Sequence, residues 1–419
     1  MQRIWKRLST LSSVQPTELS PRDGQGFLWK HWRLDMLGML AVLVYGSWFY
    51  GYGVIIDDIG DDLGVGLGVL GFAYGAANIL TGVFAVFAGR RLDVRGPFAV
   101  FMVVGPAGCF LYALSAATDS AVFFVLAFSL GGGLMGASAF YAMTQAVAVR
   151  LFPDDPIRTI TRITIWGALS SPIAIPLTEV MRDKLGWRTA VVIPAVIAAC
   201  AYACTAVATR HVRAAVEQRR SSGLLSAIRS ALKHRAIRLN IAASFTTSIG
   251  VSVLLVFQVP TMKWAGLTAA TAASLAGLRG VFQLVGRLPL PRLVERSDAW
   301  RLLGIARVIV GVSCLLILGS RNVVVAIVYI VVAGAAIGAL SALDGMVSRD
   351  LLPPEDFGSL MGAMAFIYSI GSGVAPIVAG QLNDLTGNPM ASMTLAGLSS
   401  FVSAALLASA RRAHRGVLA

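Results

Sequence analysis

Twelve stretches of this chain are each apolar for roughly 20 residues, the length a helix needs to cross the hydrocarbon core of a bilayer. They fall near residues 34–56, 67–88, 98–117, 121–148, 163–181, 189–209, 239–261, 268–286, 301–319, 322–346, 358–380 and 391–410. The runs are long, rich in Gly and Ala, and show no ten-residue alternation between turns, which excludes a transmembrane β-barrel. An all-α membrane protein is expected. Hydrophobic residues make up 56% of the 419 positions and charged residues only 13%, far from the balance of a soluble domain.

The net charge of +14 invites a nucleic-acid reading, but its distribution argues otherwise. With the N-terminus on the cytoplasmic side, Lys and Arg gather in the tails and cytoplasmic loops, whereas the opposite loops hold only Arg182, Lys184, Arg188, Lys263 and Arg321. That is the positive-inside bias of a multi-pass membrane protein. The basic tract 210–238 suits anionic lipid headgroups, and no aromatic interleaving accompanies it, so no nucleic acid is expected as partner. The first 33 residues lack an apolar core followed by a small-residue cleavage site and read as a cytoplasmic tail. Cys109, Cys200, Cys204 and Cys314 all lie in apolar runs, where they act as small apolar side chains. No disulfide, metal or other cofactor is expected.

A faint internal repeat has a period of about 200 residues. Pro153, Asp154 and Asp155 are echoed by Pro354, Glu355 and Asp356, Ser171-Pro172-Ile173 by Ala375-Pro376-Ile377, Asp183 and Gly186 by Asp384 and Gly387, and Gly89 by Gly286. The resulting plan is a tail (1–33), a six-helix bundle (34–209), a basic central loop (210–238), a second six-helix bundle (239–410) and a short tail (411–419). Two bundles related by an axis along the membrane normal are the build of transporters that hold substrate at the midplane and expose it alternately to each side.

The segment GRRLDVRG at 89–96 resembles the loop signature between spans 2 and 3 of the major facilitator superfamily, with Gly89, Asp93, Arg95 and Gly96 in order. The resemblance implies a cytoplasmic gate: glycines for a tight turn, and Asp93 for a helix N-terminus or a nearby Arg. The second-half copy, GRLPLPRL, has Leu290 in place of the aspartate. Within the superfamily the chain is similar to the monocarboxylate and oxalate/formate branch, through YGYGVII ending at 56, SSPIAIPL in span 5 and DKLGWR at 183–188. That branch carries a carboxylate-binding arginine in span 8, and Arg279 matches it. Leu275 stands where animal members have an aspartate.

Helical spacing places Ala272, Ala276, Arg279, Gln283 and Gly286 on one small and polar face and Leu275, Leu278, Phe282 and Val285 on the other. A charged side chain at the helix centre costs at least roughly 2.5 to 3.5 kcal/mol on insertion scales, so Arg279 needs a partner or a wet cavity. Three readings stand together: a carboxylate site, an ion pair with Asp344, or a side chain reaching the interface. Tyr45 and Trp48 in span 1, Tyr74 and Asn78 in span 2, Tyr141 and Gln145 in span 4, and Tyr368 and Ser372 in span 11 lie on spans that line the cavity in this superfamily. They are candidate substrate contacts, though interhelical packing explains each individually. Asp344 is the candidate for proton coupling, with a structural ion pair as its alternative.

The resemblance therefore implies a secondary transporter of small organic anions, coupled to protons or exchanging anions, monomeric and in the plasma membrane. A proton-driven exporter of hydrophobic compounds is the alternative, with the span 1 aromatics as its wall. An enzyme is not expected. His31, His211, His234 and His414 lie in tails or the central loop, and no phosphate-binding GxxxxGK[ST] is present.

Overall fold

The computed structural model describes residues 31–152, 156–212, 232–352 and 357–418. Lipid offers a backbone no hydrogen bonds, so each apolar run must satisfy its own as a helix. The helices are α1 (Trp32–Val44), α2 (Tyr52–Leu63), α3 (Leu67–Arg95), α4 (Gly105–Ser115), α5 (Ala121–Ala139), α6 (Tyr141–Leu151), α7 (Pro156–Ala168) and α8 (Ser170–Leu185). After them come α9 (Trp187–Thr209), α10 (Arg235–Trp264), α11 (Ala269–Arg287), α12 (Leu290–Arg296), α13 (Ala299–Leu316), α14 (Val323–Leu351), α15 (Phe357–Thr386) and α16 (Met390–Leu418).

Side chains begin several helices by accepting the first free amides. Thr268 Oγ1 accepts from Thr271 N at 3.2 Å, Asn322 Oδ1 from Val324 N at 2.9 Å, and Asp298 Oδ1 from Trp300 N at 3.0 Å. Among the described residues, nine helices are long and apolar enough to cross a membrane, or ten if α1 and α2, bent by 41° at Gly51, form one span. Outside that number stand the shorter apolar stretch Val100–Ser115 and α11, which carries Arg279 and Arg287. The stretches Tyr45–Tyr50 and Val100–Val104 are π-helical, a distortion that is frequent at functional sites.

Helix α3 packs along α15 and α8 along α11, while α10 lies on α16 and α11 on α14. The first two contacts join the sequence halves, and each uses one of the proline echoes. A Cβ on Gly71 would sit 2.3 Å from the Pro376 carbonyl oxygen, and one on Gly280 would sit 2.6 Å from Pro172 Cδ. Gly186 and Gly387, paired by the repeat, both end their helices at positive φ, 79° and 67°. The echo of Pro153, Asp154 and Asp155 with Pro354, Glu355 and Asp356 lies outside the described residues, as do most of the N-terminal tail and central loop.

Candidate functional site

Helix α11 turns toward the protein the face that its spacing dictates. Ala272, Ala276, Arg279 and Gln283 are buried, whereas Leu278 is 46% and Val285 48% exposed on the opposite side. The helix is held there by the small residues of α14: a Cβ on Gly334 would meet the Arg279 carbonyl oxygen at 2.4 Å, and one on Gly338 the Gln283 carbonyl oxygen at 2.1 Å. Glycine at both positions lets the two backbones touch.

The Arg279 side chain is 0% exposed. Its Nε donates to Gln258 Oε1 of α10 at 3.0 Å, and Tyr329 of α14 donates to the same oxygen at 3.3 Å. Nη1 and Nη2 have no hydrogen-bond partner among the described residues. The ion pair weighed between Arg279 and Asp344 is not formed. Asp344 Oδ1 instead accepts from Nη2 of Arg307, on α13, at 2.8 Å. Arg307 is likewise 0% exposed, while Asp344 keeps 32% of its side chain exposed. A wet crevice around Arg279 was expected from the cost of its charge; the structure encloses it completely.

Tyr50 faces the Gln283 side chain and lies within electrostatic reach of Arg279 and Arg287, and Tyr368 lies within reach of Tyr50, Arg307 and Asp344. Tyr45, Tyr50, Tyr141 and Tyr368 are each half-buried. Tyr45 stacks on Phe140 with centroids 3.9 Å apart and approaches Tyr141 to 5.2 Å.

The other candidates sit among protein neighbours, and the buried Nε1 of Trp48 has no hydrogen-bond partner among the described residues. Trp48 is fully buried between Phe140 and Tyr74, at 5.5 and 5.8 Å. Tyr74 donates to the Phe49 carbonyl at 3.3 Å, and Asn78 Nδ2 turns back on its own helix to Tyr74 O at 3.0 Å. Ser372 is buried, and its carbonyl accepts from Ser252 Oγ at 2.6 Å. Gln145 is half-buried on α6. Sequence reasoning missed Tyr50, Gln258, Tyr329 and Arg307. The signal for Gln258 was a lone amide inside LLVFQVP, an apolar run that tolerates such a group only with partners.

The expected gate is partly corrected. Gly89 does not form a turn: α3 continues through it to Arg95, and a Cβ there would meet nothing within 4 Å. The turn is made by Gly96, at φ 77°, and Arg150 Nη1 donates to the Leu92 carbonyl at 3.1 Å just before it. Arg95 is exposed, and the side chain of Asp93 lies outside the described residues. Acids do cap helix N-termini elsewhere: Asp298 at the start of α13, at this same end, and Asp384 at the opposite end of the molecule. Asp384, at the end of α15, accepts from the backbone amides of Leu67 and Gly68 at 2.8 and 2.7 Å, where α3 begins. Lys263 of α10 pairs with Asp57 of α2 at 2.5 Å.

The sequence profile described as the Major Facilitator Superfamily matches residues 37–376 and, in a second match, 241–417. Monocarboxylate transporter 12-B of Danio rerio is 29% identical over 162 residues, covering 38% of this chain and 34% of that protein. Monocarboxylate transporter 12 of Homo sapiens is 28% identical over 172 residues, covering 40% and 33%. The matched region thus spans about a third of the length of these relatives. In three dimensions the chain is similar to a mutant of the nucleoside transporter NupG, with a TM-score of 0.73 at 15% identity over 91% of this chain and 99% of that one. It is also similar to a bacterial homologue of the human lysosomal transporter Spinster in an inward-facing, occupied conformation, with a TM-score of 0.69 at 16% identity over 92% and 97%. With its profile matched from the first span to the C-terminal helix and its helices arranged as in these transporters, the chain belongs to the major facilitator superfamily.

Proposed function

We propose that this protein is a secondary transporter of small organic anions of the monocarboxylate kind, moved by alternating access between two six-helix bundles built from twelve spans. The observation that carries this reading is Arg279, a guanidinium with no exposed surface and, among the described residues, no carboxylate paired with it and no hydrogen-bond partner for its two terminal nitrogens. A buried cation without a counter-charge is costly, and a carboxylate approaching Nη1 and Nη2 offsets that cost through two charge-assisted hydrogen bonds. The partial likeness to monocarboxylate transporter 12 points the same way. The rival reading, an aromatic wall for hydrophobic compounds, is disfavoured because Tyr45, Trp48 and Phe140 stack on one another.

Substrate reaches Arg279 beside Gln283 when the bundles open to one side, and leaves on the other side after they rock. Asp344, partly exposed and paired with Arg307, is the candidate for a coupled proton. The basic end faces the cytoplasm with both termini, in the plasma membrane, and the working unit is a monomer. The test is uptake into proteoliposomes. Arg279→Gln abolishes carboxylate counterflow while the protein keeps its size-exclusion profile; unchanged counterflow removes the proposal.

A further inference from the structure

We infer that Gln258 is a positioning residue that closes one edge of the Arg279 guanidinium and thereby selects planar monoanions that dock end-on. This rests on the anion reading above and deepens it. A guanidinium presents a side-on edge, Nε with one Nη, and an end-on edge, Nη1 with Nη2, and either can hold a carboxylate by two parallel hydrogen bonds. In this protein the side-on edge is taken, because Nε donates to Gln258 Oε1 at 3.0 Å. The end-on edge is the one without partners among the described residues.

The orientation of the Gln258 amide follows from its neighbours. Arginine has only donors, so the atom facing it must be the amide oxygen. That oxygen also accepts from Tyr329 at 3.3 Å, which fills its second lone pair, and Nε2 donates to the Leu255 carbonyl at 3.2 Å. Gln258 is 1% exposed and Tyr329 0%, so neither rotates freely or exchanges its partner for water. The group that pins Nε is therefore neutral. A carboxylate there would pin it as well, yet would cancel the charge that attracts the substrate.

Replacing Gln258 by Glu separates orientation from charge. The charged and titratable groups facing position 258 are Arg279 from α11 and Tyr329 from α14. The experiment measures thermal stabilisation of the full-length protein in detergent by acetate, propionate and butyrate, between pH 5 and 7.5. Gln258→Glu retains the Nε contact and folds, but binds the carboxylates at least tenfold more weakly than wild type at pH 7.5. The ratio to wild type recovers toward pH 5 as the introduced carboxyl takes up a proton. Gln258→Leu, of similar volume, is weakened at every pH with no such recovery. Tyr329→Phe, which frees one lone pair of the amide oxygen, weakens binding a few-fold and serves if the first variant does not fold. Wild-type-like binding by Gln258→Leu overturns the positioning role, and wild-type-like binding by Gln258→Glu at pH 7.5 overturns the need for a neutral group there; either leaves the anion reading standing. Failure of all three carboxylates to stabilise the wild type overturns both.

Discussion

Arg279 and Arg307 are both wholly enclosed, and both leave two guanidinium nitrogens without partners among the described residues. They differ in what answers the charge. Arg307 has a carboxylate, Asp344, at 2.8 Å; Arg279 has an amide and, through that amide, a phenol. A buried ion pair neutralises itself and needs nothing from outside. A cation held by a dipole keeps its full charge and remains a sink for an anion. On the anion reading proposed above, the contrast separates an arginine answered by the protein's own carboxylate from one left for a ligand, although both lie in apolar helices and look alike in composition.

The largest expected effect breaks the comparison directly. In equilibrium binding of acetate, Arg279→Gln loses two charge-assisted hydrogen bonds of about 1.5 to 3 kcal/mol each, which amounts to a loss of at least about a hundredfold. Arg307→Gln stays within about threefold of wild type. Equal losses in the two variants would erase the distinction. Next is stability. Asp344→Asn strands the Arg307 charge and lowers unfolding free energy by about 3 kcal/mol, near the low end for a broken buried pair because Asp344 is 32% exposed. Denaturation in detergent measures it, and replacing both partners by leucine recovers most of the loss. The smallest effect comes from Asp384, which answers only the partial charge of a helix N-terminus. Asp384→Ala removes the cap on Leu67 and Gly68 and costs about 1 kcal/mol. Since that cap ties α15 to α3, labelling of a cysteine introduced nearby should accelerate as this end opens.

Much of the architecture could be read from residue order, because bilayer thickness and a 3.6-residue period leave a polar face in an apolar helix little choice. The inward turn of Arg279 and Gln283 is such a case. The turn expected at Gly89 failed for a related reason: a helix tolerates an isolated glycine at a cost of about 1 kcal/mol, and α3 ran on to Gly96, where positive φ ends it. The gating acid was sought at Asp93, whose side chain lies outside the described residues, whereas the structure shows acids on the helix N-termini at Asp298 and Asp384. The candidate site was legible in its cation and not in its partners. Gln258, Tyr329 and Tyr50 come from three other helices, and no spacing within α11 points to them.

Order along the chain thus determined that it forms apolar helices, which face of each turns inward, and that one charge would sit among them at a cost. Only tertiary structure decided which arginine received the carboxylate. Pairing depends on the relative height and rotation of neighbouring helices, and those are set by contacts such as Gly334 and Gly338 against the α11 backbone, where interlocking surfaces across distant segments, and not local preference, fix the register.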